Sequence, residues 1–277
     1  MKAVVALAGF GTRLLPLTKA QPKAMLSVAD RPLVHYIVEE IVNSGIKEII
    51  FIINRRDNSI KRYFARDKNL EKVLKSTGKD ELARQLKKIS KMAKFHFVYQ
   101  PKPLGTGDAI LMVKRLIGNK HFALLYGDDL IDCVTPCLKQ LVNVYKKYRG
   151  SVIAVRKVPH RDVYRWGIID GKKIGDRNYR LSNIIEKPKI EEAPTNLSII
   201  GRYILSPQIF KNLSLLKRRQ SFTTGKKELY VTDGIKMLLD HRCPVYACEF
   251  KGQRFDGGSH KGLVEATIFY SRKHNII

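Results

Sequence analysis

Four short, almost unbroken apolar runs constrain this chain most, at residues 2–8, 48–53, 95–99 and 122–126. A strand with no polar alternation has to be covered on both faces, which is the habit of parallel sheets flanked by helices. Between the first two runs, apolar residues at 33, 34, 37, 38 and 41 recur at helical spacing, and Gly45 follows as a stop. Strand, helix, strand at that spacing is a βαβ unit. Helices at about 107–117 and 134–148 and a strand at 151–156 continue the alternation. Strands at 166–170, 179–186, 199–205 and 244–250 then mix with helices at about 206–216 and 228–241 and a terminal helix from about 261. The pattern predicts an α/β fold: one doubly wound, mostly parallel, Rossmann-like mixed sheet with helices on both faces and an embellished carboxy-terminal half. No composition shift or linker divides residues 1–277, so the chain reads as a single domain, long enough to bury a substantial core.

Open α/β sheets bind ligands at the carboxyl ends of their strands. The first strand runs through Ala8 into Gly9 and Gly11, then Thr12, Arg13, Lys19 and Lys23. Glycines let backbone N–H groups approach a phosphate closely, and the cations can neutralise it. The third strand ends at Gln100, with Gly105 and Gly107 beyond it. The fourth ends at Gly127-Asp128-Asp129, and Asp256 lies in a later loop, Phe255-Asp256-Gly257-Gly258. The opening glycines fit neither a dinucleotide loop, because Leu14 stands at the third glycine position, nor a P-loop, whose spacing is absent.

What the opening does fit is G-x-G-T-R-x-x-P with a Pro-Lys pair ending ten residues after Arg13. It resembles the nucleotide-binding loop of the sugar-1-phosphate nucleotidylyltransferases. The likeness covers nearly the whole chain and is nearest to the bacterial UTP–glucose-1-phosphate uridylyltransferases, also known as UDP-glucose pyrophosphorylases. Leu104-Gly105, Gly127-Asp128-Asp129, Gly167, Glu186-Lys187-Pro188, Asn196, Gly201-Arg202-Tyr203, Thr232-Asp233 and Asp256 with Gly258 carry it, as does the helical insert at about 58–93. It implies uridylyl transfer from UTP to glucose 1-phosphate, giving UDP-glucose and pyrophosphate.

The resemblance also assigns roles. Ala8, Gly9, Gly11, Thr12, Gln100 and Gly105 would bind the nucleotide, with Gln100 on the uracil edge. Arg13, Lys23 and Lys187 would be catalytic, and Gly167, Glu186, Lys187 and Asn196 would bind the sugar phosphate. Asp128 and Asp256 would hold Mg²⁺, which takes octahedral oxygen ligands and typically one or two carboxylates. The nucleotide-binding half would be about 1–130 and the sugar-phosphate half about 131–277. Taken singly, an Asp beside a glycine also suits a turn or a cap. Departures from the family pattern are Leu7 for a smaller residue, Ala24 for Glu, Asp108 for His, Tyr230 for Gln, and His260 where a Lys falls. They keep two alternatives open: another sugar-1-phosphate nucleotidylyltransferase, such as a thymidylyltransferase, and a non-catalytic relative that binds nucleotide sugar.

The net charge of +27, from 52 Lys and Arg against 25 Asp and Glu, suggests polyanionic partners. The basic residues are nevertheless spread, and the runs Arg55-Arg56, Lys87-Lys88 and Lys217-Arg218-Arg219 read as solvated faces. The stretch Tyr145 to Arg149 interleaves aromatics with cations, yet closing a helix accounts for it. The expected partners are therefore UTP and glucose 1-phosphate, with no specific nucleic acid, no membrane, and a second copy of the chain in a homo-oligomer. None of the four cysteines forms C-x-x-C, as suits thiols in a reducing compartment. With no apolar stretch near the roughly 20 residues of a spanning helix and no secretory signal at the start, a cytoplasmic location is expected.

Overall fold

The computed structural model describes residues 1–54, 58–222 and 228–277; Arg55-Arg56 lies outside the described residues. Nine strands build the main sheet: β1 (Ala3–Ala6), β2 (Glu48–Asn54), β3 (Lys94–Gln100), β4 (Phe122–Tyr126), β5 (Ser151–Lys157), β6 (Gly167–Lys173), β7 (Asn178–Glu186), β8 (Leu197–Leu205) and β9 (Val245–Glu249). Their order is β3-β2-β1-β4-β8-β5-β9-β7-β6. The first four pair in parallel. β8 then runs antiparallel to β4 and β5, and β7 runs antiparallel to β9 and β6, while β5 and β9 are parallel.

The protein is therefore mixed α/β on a mixed sheet, in which β8 and β7 run against the other strands. Two local causes stand out. The link from β6 to β7 is too short for a parallel crossover, so those strands must reverse. β8 is buried at all nine positions, Ser198 and Arg202 included, although both flanking strands oppose it, so burial along its whole length marks a central strand, not a parallel one.

Alternation along the strands splits the interior in two. Ala3 and Val5 face Ile49, Phe51 and Ile53 under helices Leu33–Asn43, Cys137–Tyr148 and His260–Lys273. Val4 faces Ile50 and Ile52 under helices Thr106–Leu111, Gln208–Phe222 and Val231–Asp240. Covering both faces leaves the strand ends as the place where polar groups gather.

The helix expected at 107–117 is two short ones, Thr106–Leu111 and Lys114–Ile117. The 58–93 insert is three helices, and the Asp67 carboxylate caps the second by accepting from the Leu70 N–H at 2.9 Å. Tyr148 does end its helix, with Arg149 at φ 59° donating its N–H to the Tyr145 carbonyl. Two ribbons escaped the sequence pattern, Ser27–Val28 with Arg31–Pro32 and Asp129–Asp132 with Gln253–Asp256. The second pairs Asp256 with Asp129 and so carries a late loop to the end of β4. Among the described residues no helix is long and apolar enough to cross a membrane.

Candidate active site

The end of β1 is shaped by glycine. Gly11, at φ 66°, opens the turn Thr12–Leu14, and a Cβ there would stand 3.1 Å from Thr18 and 3.3 Å from Lys23. The Thr18 hydroxyl donates to the Gly11 carbonyl, and buried Leu14 anchors the turn while Arg13 stays exposed. The chain then returns through Lys23–Met25, which sets Lys23 Nζ 2.6 Å from Asp128 Oδ2. The Arg13 guanidinium lies 3.7 Å from the same oxygen. Burial pushes the Asp128 carboxyl up, but Lys23 and Arg13 outweigh it and hold the group below the usual carboxylate range.

Asp128 and Asp256 meet beside Gly258. A Cβ on Gly258 would lie 2.8 Å from Asp128 Oδ2, 3.0 Å from the Arg13 guanidinium and 3.1 Å from Asp256 Oδ1. The Gly258 N–H donates to Asp256 Oδ1, and the Gly257 N–H to the Asp128 carbonyl at 2.7 Å. Two carboxylate oxygens thus flank one small cradle that any larger residue would fill. That donor set, all oxygen with two carboxylates, fits a hard divalent cation completed by substrate oxygens.

Residues absent from the sequence-based set hold this cradle. Arg202, fully buried on β8, is clamped by both oxygens of Glu40 at 2.8–3.1 Å. It also donates to the carbonyls of Tyr126 and Asp129, on either side of Gly127-Asp128. Asp129 accepts from the Gly201 N–H and from Arg254, whose guanidinium sits 4.7 Å from the centre of the Trp166 ring. The signal for Arg202 was present, since a lone charge inside an apolar strand needs a buried partner. Nothing in sequence spacing points from it to Glu40.

Two cavities open from Tyr126 and Asp128. The first, about 290 Å³, is lined by Ala8, Gly9, Lys23, Gln100 and Gly105, and also by Leu7, Ala24, Glu228 and Tyr230. The second, about 480 Å³, brings Arg13, Asp256 and Lys187 together with Arg165, Trp166 and Arg254. Gly105, at φ 100°, packs its α-carbon on the Leu229 backbone, where no side chain would fit. Thr12 is exposed in the turn and lines neither cavity.

The departures find local partners. Leu7 packs over the α-carbon of Gly127, so a glycine absorbs its extra bulk. Ala24 is buried in the core. Asp108, 3% exposed, accepts from Lys217 Nζ at 2.6 Å and from Gln100 Nε2 at 3.1 Å. Lys217 therefore reaches a buried carboxylate while its own side chain, like Arg218 and Arg219, stays exposed, in keeping with the run as a solvated face. The Tyr230 N–H donates to Asp233 at the start of helix Val231–Asp240. His260 is exposed in the first turn of the last helix.

On the other side, Gly167 pairs with Glu186 across β6 and β7, and a Cβ on Gly167 would stand 3.1 Å from Glu186 Oε2. Lys187 follows at φ 48°, a left-handed conformation that turns it off the strand end, with its N–H donating to the Trp166 carbonyl and its Nζ 5.7 Å from the Tyr230 ring centre. The Asn196 amide donates to the Val158 carbonyl, and its own carbonyl accepts from the Val158 N–H. These contacts tie Asn196 to the β5 end rather than to Glu186.

A model of the nucleotidyl transferase family matches residues 2–273. The UTP–glucose-1-phosphate uridylyltransferase of Staphylococcus haemolyticus is 42% identical over 272 residues, 98% of this chain and 92% of its own. A crystal structure of UDP-glucose pyrophosphorylase complexed with UDP-glucose superposes with a TM-score of 0.84 at 37% identity, covering 98% of each chain. A UTP-bound UDP-glucose pyrophosphorylase from Acinetobacter baumannii gives 0.89 at 35% identity, covering 99% of this chain and 94% of its own.

Proposed function

The chain belongs to the nucleotidyl transferase family, and on that premise we propose that it is an enzyme that transfers a uridylyl group from UTP to glucose 1-phosphate, giving UDP-glucose and pyrophosphate. The observation that carries this reading is the cradle at Gly258, where Asp128, Asp256 and Arg13 converge; all three line the second cavity, and Asp128 lines the glycine-lined one as well.

Gly9, Gly11 and Gly105 let the backbone approach the nucleotide, with Ala8 and Thr12 alongside, and Gln100 meets the base edge. Arg13 and Lys23 draw charge from the triphosphate, and Lys187 holds the phosphate of the sugar. Glu186, given room by Gly167, accepts from sugar hydroxyls, and Asn196, held at the β5 end, completes the sugar-phosphate set. An oxygen of the sugar phosphate attacks the α-phosphorus in line, and pyrophosphate leaves. Positioning and charge neutralisation supply the rate without a covalent intermediate. Asp128 and Asp256 would hold Mg²⁺, which when bound neutralises phosphate oxygens and templates the displacement.

The parallel block β3-β2-β1-β4 with helices on both faces supports a Rossmann-like nucleotide half at about 1–130, and return of Asp256 to that half supports a single domain. Exposed Leu70, Val73 and Leu82 on the insert helices support a homo-oligomer, which sedimentation would measure.

The test is pyrophosphate release from purified protein with Mg²⁺ and glucose 1-phosphate, offering UTP, dTTP, ATP and GTP in parallel. Release with UTP alone is expected. Release with dTTP instead would reassign the base, and release with none would remove the enzyme reading for this sugar.

A further inference from the structure

Asp108 is an acid pressed against the base-edge candidate. It is 3% exposed in the first turn of helix Thr106–Leu111, and its two oxygens have different partners. Oδ1 accepts from Lys217 Nζ at 2.6 Å and Oδ2 from Gln100 Nε2 at 3.1 Å. Gln100 is itself 6% exposed, ends β3 and lines the glycine-lined cavity.

An ionised carboxylate can only accept hydrogen bonds, whereas a carboxamide has a donating end and an accepting end. With Oδ2 engaging its amino end, the amide has one orientation. One N–H is spent on Asp108, which leaves Oε1 and the second N–H for the cavity. That remainder is an acceptor beside a donor. It complements the N3–H and O4 of uracil. Cytosine offers an acceptor at N3 and a donor at N4, so pairing with it requires the amide to flip. The flip would set Oε1 against the Asp108 carboxylate in a buried place, which is repulsive and leaves two acceptors unmet.

We propose that Asp108, anchored by Lys217, is a positioning residue that fixes the Gln100 amide and thereby makes the site select a base with an N3–H, uracil over cytosine. This rests on the reading of Gln100 as the base-edge group. The family pattern has His at this position, so the device belongs to this chain's own residues.

The experiment measures kcat/KM for UTP and for CTP, together with their dissociation constants, in the parent and in Asp108→Asn, Lys217→Met and Gln100→Ala. Asn can present either end of its own amide, so Asp108→Asn frees the flip at nearly constant volume. The UTP/CTP ratio is expected to fall by about tenfold or more in Asp108→Asn, mainly through KM. Lys217→Met, on a half-exposed side chain, should shift the ratio in the same direction and decides the matter if Asp108→Asn fails to fold. Gln100→Ala should have a low ratio that adding Asp108→Asn lowers no further. A purely structural Asp108 would depress both nucleotides alike. A ratio within about twofold of the parent in the folded variants overturns the proposal. Absence of turnover in the parent would instead overturn the uridylyltransferase reading, and the ratio of dissociation constants would still decide the role of Asp108.

Discussion

The ends of β1 and β4 are neighbours, yet they are built on different principles. After β1 the chain is glycine, exposed side chains and a turn closed by one hydroxyl, and the Arg13 side chain keeps 68% of its surface. After β4 almost every polar atom is spoken for: Asp129 by Gly201 and Arg254, the flanking carbonyls by Arg202, and Arg202 by Glu40. One end presents charge to whatever enters, and the other holds charge in place through a network anchored in the core. Loss at the first should cost turnover, whereas loss behind the second should cost the fold.

The largest effect that could break this contrast is at Arg202. Arg202→Met leaves Glu40 buried without its partner, so unfolding in urea should show a loss of about 3–5 kcal/mol. A loss below about 1 kcal/mol, the size of an exposed pair, would place Arg202 in the same class as surface charges. Asp256→Ala should do the opposite. Mg²⁺-dependent pyrophosphate release is expected to fall by about a hundredfold or more, with the urea midpoint retained. Asp128→Ala should match it in turnover, and activity surviving in either variant would take that residue out of the cation cradle.

Gly258→Ala sharpens the comparison without touching a charge. Its Cβ would stand about 3 Å from both carboxylates and from Arg13, where the cradle is. A fall in turnover of about tenfold, with a higher Mg²⁺ requirement, is expected from that obstruction. Unchanged Mg²⁺ dependence would show that the space beside Gly258 is not where the cation sits.

The same contrast explains what was legible in the sequence. The end of β1 announces itself because its groups are contiguous: Gly9, Gly11, Arg13 and Lys23 lie within fifteen residues. Asp128 could be read for the same reason, as an acid directly after an apolar strand. The support behind it is assembled from positions far apart, with Glu40 on a helix, Arg202 on β8 and Arg254 on a late ribbon, and no spacing rule connects them. Strand direction was read from apolar content, which reports burial on both faces rather than pairing. It therefore served for β1 to β4 and carries no direction for β8, a buried strand between opposed neighbours. Asp108 stood only as a departure from the family pattern because Lys217, its partner, is 109 positions away.

The smallest effect concerns a charge cluster that belongs to neither strand end, which calibrates what surface pairing contributes here. Arg31 donates to both oxygens of Asp30, at 3.0 Å and 2.6 Å, and His274 Nδ1 lies 2.9 Å from Asp30 Oδ1. The Arg31 guanidinium holds the Asp30 carboxyl well below its ordinary value of 3.8, with partial burial opposing and His274 assisting. A carboxyl depressed in the folded state contributes stability above its unfolded pKa, and that contribution is lost as pH falls towards the folded value. Asp30→Asn should therefore lower stability at pH 7, and the gap from the parent should close as pH drops from about 4 towards 2. Because the Asp30 side chain is 38% exposed, solvent screening limits the gap to below about 1 kcal/mol. A gap that widened in acid would reverse the sign of this linkage. One as large as that of Arg202→Met would show that exposed and buried pairs contribute alike, and the contrast between the two strand ends would lose its energetic basis.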